Sequence, residues 1–397
     1  MNRTVLFAGL TCSCLLIAGC ISDKYWRMRT GEDPQKGGMS NQNIRILQVK
    51  EGHTGEGAYQ DFWDQRDFDS IKAWLDEDKS APVVVYVHGW HHNARENDKN
   101  LDNFRKLVKT LQDDICALAQ LQGDRSAYTP VKGIYVGWQG DSFVGSVVDF
   151  WTIYGRKRAS TELGVGKLRS FVSYLQSTNS GRTMVITGHS LGANALYNAI
   201  KPTEPGQVLT VDKNTDFILL NPAISSAEFQ GVDEAMKRSV EFNLNQLSDG
   251  RSETLSEEQR ILDNRQYRKI LILQATKDKA IGRIFKAAVG PAVGFDTNRL
   301  THEASTTPAY SAASTSCNPL TIGKQIDKCN ISLDSGLVLR PKGGTDTENC
   351  KAQYLKTSWI VAADPSVSAG HGDVWNSVER CALAELIAKR IQHVDGF

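Results

Sequence analysis

The chain has 397 residues, which is enough for one large domain or two smaller ones around a sizeable core. Charged residues make up 23% of it and the formal net charge is +1, so charge does not predict binding to nucleic acid or to an acidic partner. Function therefore has to be sought in a specific site.

The first twenty residues, MNRTVLFAGLTCSCLLIAGC, differ from the rest of the chain. Arg3 precedes an uncharged apolar run that is too short for a comfortable membrane-spanning helix and fits the apolar region of a signal peptide. The run ends on the letters IAGC, of which the last is Cys20. This ending resembles the bacterial lipoprotein signal, in which the cysteine is acylated and becomes the mature N-terminus.

The lipoprotein resemblance implies a signal peptide over residues 1–19 and a lipid on Cys20 that attaches the protein to a membrane surface without spanning the membrane. An ordinary secretory signal with a chance cysteine is the alternative. In a Gram-negative cell, Ile21 after Cys20 resembles the pattern of outer-membrane sorting, with the protein facing the periplasm or the surface. Residues 20–43 are polar, which predicts a flexible tether to a folded domain over 44–397.

Six short apolar, β-branched runs in this domain do not alternate polar with apolar residues. That pattern predicts strands buried on both faces, as in a parallel sheet. Helical patterns lie between the runs, so we predict an α/β fold: a doubly wound, mostly parallel sheet with helices on both faces. The six runs cover 82–89, 131–138, 183–190, 216–223, 269–278 and 357–364.

The letters HGWHHNA directly follow the first predicted strand, and HGW resembles the oxyanion loop of lipases and esterases. That resemblance implies that the backbone N–H of Trp90 donates to the oxyanion, with Gly89 supporting the loop and His88 hydrogen-bonding it. A metal site is the alternative. However, the spacing of His88, His91 and His92 suits no common helical ligand pattern and no carboxylate accompanies them, so no metal is predicted.

The run TMVITGHSLGANAL, residues 183–196, predicts a strand, then the letters GHSLG, then a helix. This is G-x-S-x-G in the strand-to-helix context that gives the motif its meaning. The sharp turn strains the backbone of Ser190, and the closeness of neighbouring chain requires glycine at Gly188 and Gly192. The N–H of Leu191, at the helix start, then points at the oxygen of a bound carbonyl. The alternative is a serine that only caps the helix.

A serine hydroxyl needs a base to take its proton. We predict His371 as that base, because it follows the last predicted strand at the carboxyl edge of the sheet, where Ser190 also lies. A surface-loop histidine is the alternative. Asp278, at the end of the strand before last, is predicted to orient the imidazole. Three loop carboxylates are its rivals: Asp373, Asp364 and Asp141.

Three segments leave more than one interpretation open. Residues 141–160 carry an aromatic face, which fits either a flap over an acyl pocket or a helix packed into the core. The segments at about 224–266 and about 283–355 interrupt the alternation of strands and helices. Such segments are insertions at the edges of a sheet, often over the active site.

Five cysteines remain after the predicted signal and anchor: Cys116, Cys317, Cys329, Cys350 and Cys381. Export would permit disulfide bonds, and Cys317 with Cys329 is one candidate pair. Connectivity is not readable from sequence, and one cysteine is left over in any pairing.

Four landmarks occur in order along the chain: HGW, GHSLGA, ATKDKA and GHGDVW. From about residue 44 to the end, the chain resembles an α/β-hydrolase of the lipase/esterase type. The resemblance implies hydrolysis of an ester through an acyl-enzyme on Ser190, with Asp278 and His371 and without a cofactor. The long stretch between Asp278 and His371 departs from the better-known members and leaves the substrate open.

The resulting hypothesis is an exported, membrane-anchored serine hydrolase that acts on an ester or lipid substrate. One alternative is an acyltransferase that uses the same triad. Another is a non-catalytic envelope lipoprotein that uses the fold as a binding scaffold. Peptidase and thioesterase activities on the same triad also stay open.

Overall fold

Strands and helices alternate through most of the part of the chain that the structure describes. The structure, a computed structural model, describes residues 43–53, 59–63, 65–94, 98–121, 130–138, 140, 149–179, 181–203, 214–235, 270–280, 292–293, 295, 300–306, 331–332, 337–342 and 358–391. Its strands are β1 (Ile44–His53), β2 (Tyr59–Trp63), β3 (Val83–Val87), β4 (Lys132–Gly137), β5 (Met184–His189), β6 (Thr215–Leu220), β7 (Ile270–Ala275), β8 (His302–Thr306), β9 (Ile331–Ser332), β10 (Leu337–Pro341) and β11 (Ser358–Ala363). Its named α-helices are α1 (Gln65–Glu77), α2 (Lys99–Leu121), α3 (Asp149–Leu163), α4 (Arg169–Ser177), α5 (Leu191–Ile200) and α6 (Ser377–Ile391).

The strands of the described residues form one sheet in the order β2-β1-β4-β3-β5-β6-β7-β11-β8-β10-β9. The strands from β1 to β8 in that order are parallel, whereas β2 at one edge and β10 and β9 at the other pair antiparallel. All six predicted strands lie in the parallel part as β3, β4, β5, β6, β7 and β11, so the predicted doubly wound, mostly parallel sheet is confirmed. Strands β1 and β2 and helix α1 are not among the elements predicted from the sequence.

Helices cover both faces of the sheet, and successive residues of its central strands point into two apolar layers. In β3, Val83, Val85 and Val87 share one apolar cluster with residues of α1, α4 and α5. Val84 and Tyr86 share the other cluster with residues of α2 and α6. Each fully buried valine contributes about 1.5–3 kcal/mol relative to exposure. Burial on both faces is why these strands are apolar without alternation.

The described parts of the two predicted insertions pack onto the sheet. From the segment 283–355, β8 pairs with β11, β10 with β8 and β9 with β10, so this part of the segment widens the sheet at its edge. From the segment 224–266, a helix over 226–235 buries Phe229 and Val232 in the core. The rest of both segments lies outside the described residues.

Two cysteines of the folded domain are described. Cys381, on α6, is disulfide-bonded, and Cys116, on α2, carries a free thiol. The candidate pair Cys317 and Cys329 lies outside the described residues, so that pairing stays a prediction.

An acidic side chain is buried between α2 and α6. Asp114 of α2 is 7% exposed, and Glu385 of α6, which is 1% exposed, forms an ion pair with Lys389. Burial, followed by the negative charges of Glu385 and Asp113, raises the pKa of Asp114 to about 7. The folded protein therefore holds a proton on Asp114 at pH values where the unfolded chain has lost it.

We expect Asp114 to destabilise the fold as the pH rises from about 4 to about 8. Its pKa is raised in the folded state, so in this interval the folded protein binds more protons than the unfolded chain and unfolding becomes easier with rising pH. Asp114→Asn should raise the free energy of unfolding at about pH 8 by about 1–3 kcal/mol and change it little at about pH 4. Urea unfolding at both pH values measures the effect. The same pH dependence in wild type and variant would contradict it.

Candidate active site

Ser190 occupies a strained turn between β5 and α5. Its backbone angles are φ 55° and ψ −118°, a region that residues other than glycine rarely adopt. The N–H of Ser190 donates to the carbonyl of Leu220 at 3.0 Å, so the end of β6 holds the turn. Strain of this kind costs about 1–3 kcal/mol and persists only where the surrounding structure imposes it.

Two glycines allow neighbouring chain to approach this turn. A Cβ on Gly192 would lie 2.2 Å from the carbonyl oxygen of Val87 and 2.3 Å from that of His88. A Cβ on Gly188 would lie 2.8 Å from the carbonyl oxygen of Gly192. Only glycine therefore lets the first turn of α5 lie against the end of β3, and this contact brings Ser190 next to the loop that follows β3.

Two short hydrogen bonds join Ser190 to His371 and His371 to Asp278. The distance from Oγ of Ser190 to Nε2 of His371 is 2.7 Å, and the distance from Nδ1 of His371 to Oδ2 of Asp278 is also 2.7 Å. Ser190 follows β5, Asp278 follows β7 and His371 follows β11. The carboxyl ends of three parallel strands thus bring the three predicted residues together.

Burial and hydrogen bonding set the roles of the two nitrogens of His371. The side chain of Asp278 is 0% exposed, whereas that of His371 is 25% exposed. An ionised carboxylate accepts from Nδ1–H, which leaves Nε2 as the nitrogen that accepts from the hydroxyl of Ser190. The arrangement can therefore remove a proton from the serine and stabilise the imidazolium that results.

Asn221, which is not among the site residues predicted from the sequence, connects the loops of Asp278 and His371. Its Nδ2 donates to the carbonyl oxygens of His371 at 3.2 Å and Gly370 at 3.4 Å. Its Oδ1 accepts from the N–H of Ala275 at 2.7 Å, three residues before Asp278. The φ of Asn221 is 42°, which asparagine tolerates better than most residues. The signal available in the sequence was a polar asparagine near the end of the predicted apolar run 216–223.

The ring of His189, the residue before the serine, lies beside the ring of His371. The ring centroids are 4.9 Å apart, and Nε2 of His189 donates to the carbonyl oxygen of His371 at 2.9 Å. Burial, and then the nearby His371, hold the pKa of His189 well below its usual value, so its ring is neutral. His189 is not among the site residues predicted from the sequence.

Hydrogen bonds of His88 connect the loop after β3 to the end of β4. Its Nδ1 donates to the carbonyl of Gly89 at 2.9 Å, and the N–H of Trp138 donates to its Nε2 at 3.0 Å. The indole N–H of Trp138 donates to the carbonyl of His88 at 2.7 Å. Burial lowers the pKa of His88 to about 4, so its ring is neutral and can donate and accept at the same time.

The predicted oxyanion loop lies against Ser190. A Cβ on Gly89 would lie 3.0 Å from the Cβ of Ser190 and 2.9 Å from the carbonyl oxygen of His189. Trp90 follows in this loop and packs against the core, while Leu191 is the first residue of α5. The two residues predicted to donate backbone N–H groups therefore belong to segments that adjoin the serine.

Among the described side chains, Asp278 is the carboxylate bound to His371. Asp364 lies in the turn after β11, where its Oδ1 accepts from the N–H of Ser366 at 2.7 Å. Asp141 and the side chain of Asp373 lie outside what the structure describes.

The histidines after β3 take part in other contacts. His92 lies with its Nδ1 3.3 Å from Oδ1 of Asp98, and the ring of His91 stacks on that of Trp90 at 4.1 Å. The described residues contain no group of three or more His, Cys, Asp or Glu side chains placed to hold a metal ion.

Comparison with known proteins agrees with this architecture. The sequence model of a family described as "Alpha/beta hydrolase of unknown function (DUF900)" matches residues 66–281, which is more than half of the chain. The chain belongs to this family. The protein is therefore an α/β hydrolase, and the superfamily inferred from the sequence is confirmed. The match includes Ser190 and Asp278, and His371 lies beyond it. No curated protein shows a significant match.

Several solved structures are similar to this α/β hydrolase at low identity. A lipase-esterase related protein from Clostridium acetobutylicum has 11% identity and a TM-score of 0.26 over 80% of this chain and 96% of that chain. Phospholipase PlaB from Legionella pneumophila has 16% identity and a TM-score of 0.24 over 56% and 45% of the two chains. An uncharacterized protein from Bacillus cereus has 12% identity and a TM-score of 0.22 over 54% and 52%. This chain thus spans about half of the latter two proteins, and the assignment rests on the family match.

Several predicted features of the hydrolase lie outside the described residues. These are Cys20 with residues 20–42 of the predicted tether, and the segment 141–148 with the side chains of residues 149–154, which carry the aromatic face of the suggested flap. In the part of the chain that the structure describes, no helix combines the length and the apolar character needed to cross a membrane.

We expect Gly140→Ala to lower the rate at which a fluorophosphonate probe labels the protein. The added Cβ would lie 2.6 Å from the carbonyl oxygen of Gly89 and 3.0 Å from that of His92. The loop after β3 has to shift, and a shift of about 1 Å beside Ser190 can lower the rate about 100-fold. The rate at which a fluorophosphonate probe labels the protein measures this loss.

Gly155→Ala is the matched control for Gly140→Ala. It lies on α3 with nothing within 4 Å of the added Cβ, and alanine is favoured over glycine in a helix by about 1 kcal/mol. Its labelling rate should equal that of the wild type. Equal labelling rates in the two alanine variants would show that the loop tolerates the added methyl group.

Proposed function

We propose that this α/β hydrolase cleaves carboxylic esters, lipid esters included, through an acyl-enzyme on Ser190. The observation that carries the proposal is the hydrogen-bonded series Ser190–His371–Asp278, with the carboxylate fully buried. A serine hydroxyl bonded to an imidazole whose other nitrogen binds a buried carboxylate is an activated nucleophile.

In the proposed reaction, Oγ of Ser190 attacks the ester carbonyl carbon while Nε2 of His371 accepts the hydroxyl proton. The imidazolium then gives this proton to the leaving alkoxide as the C–O bond breaks, so the alcohol departs and the acyl group stays on Oγ. A water molecule attacks the acyl-enzyme and loses its proton to His371. The acid is released, and the serine recovers the proton. Asp278 stabilises the imidazolium in both halves.

The negative charge that develops on the carbonyl oxygen is assigned to two backbone donors. The N–H of Leu191 belongs to the first turn of α5, where helical N–H groups have no partner within the helix and the helix dipole favours negative charge. The N–H of Trp90 is the second donor, and the close approach of Gly89 to Ser190 supports this assignment. One such donor contributes about 100-fold to 1000-fold to kcat. The reaction as proposed needs no cofactor.

The proposal includes export and attachment to a membrane surface through a lipid on Cys20. The disulfide bond at Cys381 supports export, because such bonds persist in oxidising compartments and are rare in the cytosol. An enzyme anchored in the cell envelope, on the outer membrane of a Gram-negative cell, would have lipid esters within reach.

Ser190→Ala should lower kcat on p-nitrophenyl esters by about 10⁴-fold to 10⁶-fold without loss of the fold. The measurement uses the protein without residues 1–20 on a series of esters from acetate to palmitate, with circular dichroism to check folding. Ser177→Ala, at the exposed end of α4, is the matched control and should keep full activity. Wild-type activity in the Ser190→Ala protein would refute the proposal. Predominant acyl transfer to an added alcohol would favour an acyltransferase.

Cys20→Ser should release the full-length protein from the membrane fraction of a Gram-negative host and abolish incorporation of labelled palmitate. The reason is that the acyl chains are the proposed attachment to the bilayer. Cys14→Ser, inside the apolar run, is the matched control and should remain lipidated. Membrane attachment and palmitate incorporation that survive Cys20→Ser would exclude the lipid anchor.

A further inference from the structure

The backbone carbonyl of His371 accepts hydrogen bonds from two buried side chains. Nε2 of His189 lies 2.9 Å from this oxygen, and Nδ2 of Asn221 lies 3.2 Å from it. His189 is 4% exposed and Asn221 is 1% exposed. A carbonyl oxygen has two lone pairs, so these two donors together satisfy it.

The contacts of His189 determine which of its nitrogens carries the proton. A carbonyl oxygen can only accept, so Nε2 is the protonated nitrogen of the neutral ring and Nδ1 carries no proton. Nδ1 has no hydrogen-bond partner among the described residues, and it lies 3.0 Å from the position of a Cβ added to Gly89. The ring of His189 thus lies between the loop of His371 and the loop after β3. Its described hydrogen bond is to the loop of His371.

If the position of His189 only had to be filled for packing, a histidine would be less favourable than an apolar side chain. Leaving a buried acceptor such as Nδ1 without a partner is unfavourable, because the nitrogen gives up its hydrogen bond to water and gains none in return. An apolar side chain of similar size would avoid that cost. A second general base does not explain the histidine either, because its unprotonated Nδ1 is buried against Gly89 and burial holds the pKa of the ring well below its usual value. What remains as the function of the ring is the hydrogen bond that it donates.

The carbonyl that His189 binds belongs to the residue whose ring has to stay in place. The carbonyl carbon and the Cβ of His371 are attached to the same Cα, so a shift of this backbone moves the imidazole. The loop from Asp364 to Asn376 connects β11 to α6, and its histidine side chain is 25% exposed. Catalysis needs Nε2 of His371 within hydrogen-bond distance of Ser190, and a misplacement of about 1 Å costs about 100-fold in rate.

We propose that His189 is a positioning residue, which holds the backbone of His371 so that its imidazole stays aligned with Ser190. Asn221 shares this role from the end of β6 and also binds the N–H of Ala275 at the end of β7. The inference rests on the proposed function, because it concerns the base of that reaction. It assigns a task to the second residue of the G-x-S-x-G motif in this chain.

The test compares His189→Gln with His189→Met. The two side chains have similar length and flexibility, but only glutamine carries an N–H that can reach the His371 carbonyl from the position of Nε2. We expect His189→Gln to keep kcat within about threefold of wild type and His189→Met to lower it about tenfold to 100-fold. KM for p-nitrophenyl butyrate should change less than about twofold in both, because the substrate contacts are unaltered.

The rate at which a fluorophosphonate probe labels Ser190 is a second measurement, and it should follow the same order. Val108→Ala, in the apolar layer between the sheet and helices α2 and α6, is the control for lost stability. It should lower the melting temperature and leave kcat per labelled site unchanged. A purely structural role of His189 would give the His189→Met protein that same result.

Equal losses of kcat in the glutamine and methionine variants, or no loss in either, would overturn the positioning role of His189. A wild-type protein that neither cleaves the esters nor reacts with the probe would instead overturn the proposed function, and the inference with it.

Discussion

The contact between the first turn of α5 and the end of β3 is the constraint on which the site depends. Gly192 has no side chain, so the carbonyl oxygens of Val87 and His88 come within 2.2 and 2.3 Å of the place where a Cβ would lie. This closeness holds Ser190 at a positive φ and places it beside the loop after β3. A methyl group at Gly192 would have to displace either the central strand or the helix, because packed interiors leave no room for it.

Around that contact, buried polar side chains join the carboxyl ends of the parallel strands. Asn221 connects the chain after β6 with the end of β7 and with the loop of His371, and His189 connects β5 with the same loop. His88 connects the chain after β3 with the end of β4. Because burial keeps His88 and His189 neutral, they bind backbone groups without adding a positive charge to the site.

Much of this arrangement could be predicted from the sequence, because its causes are local. Strands buried on both faces have to be apolar throughout, and this requirement identified the six central strands. Parallel strands all end at the same edge, so chain order alone could assign Ser190, Asp278 and His371 to one side of the sheet. Glycine at positions 188 and 192 follows from the steric demands of the tight strand-to-helix turn at Ser190. The same motifs identified the α/β-hydrolase superfamily.

What the sequence by itself determined is the six central strands and the edge of the sheet at which Ser190, Asp278 and His371 meet. Only the tertiary structure decided which carboxylate binds His371, since Asp278 and His371 are 93 residues apart and Asp364 is much nearer in sequence. It also decided that part of the segment 283–355 widens the sheet and that His189 and Asn221 bind the His371 loop. The physical reason is that a burial pattern involves residues that are adjacent in sequence. A hydrogen bond between two loops depends instead on where the packed sheet places the strands from which those loops begin.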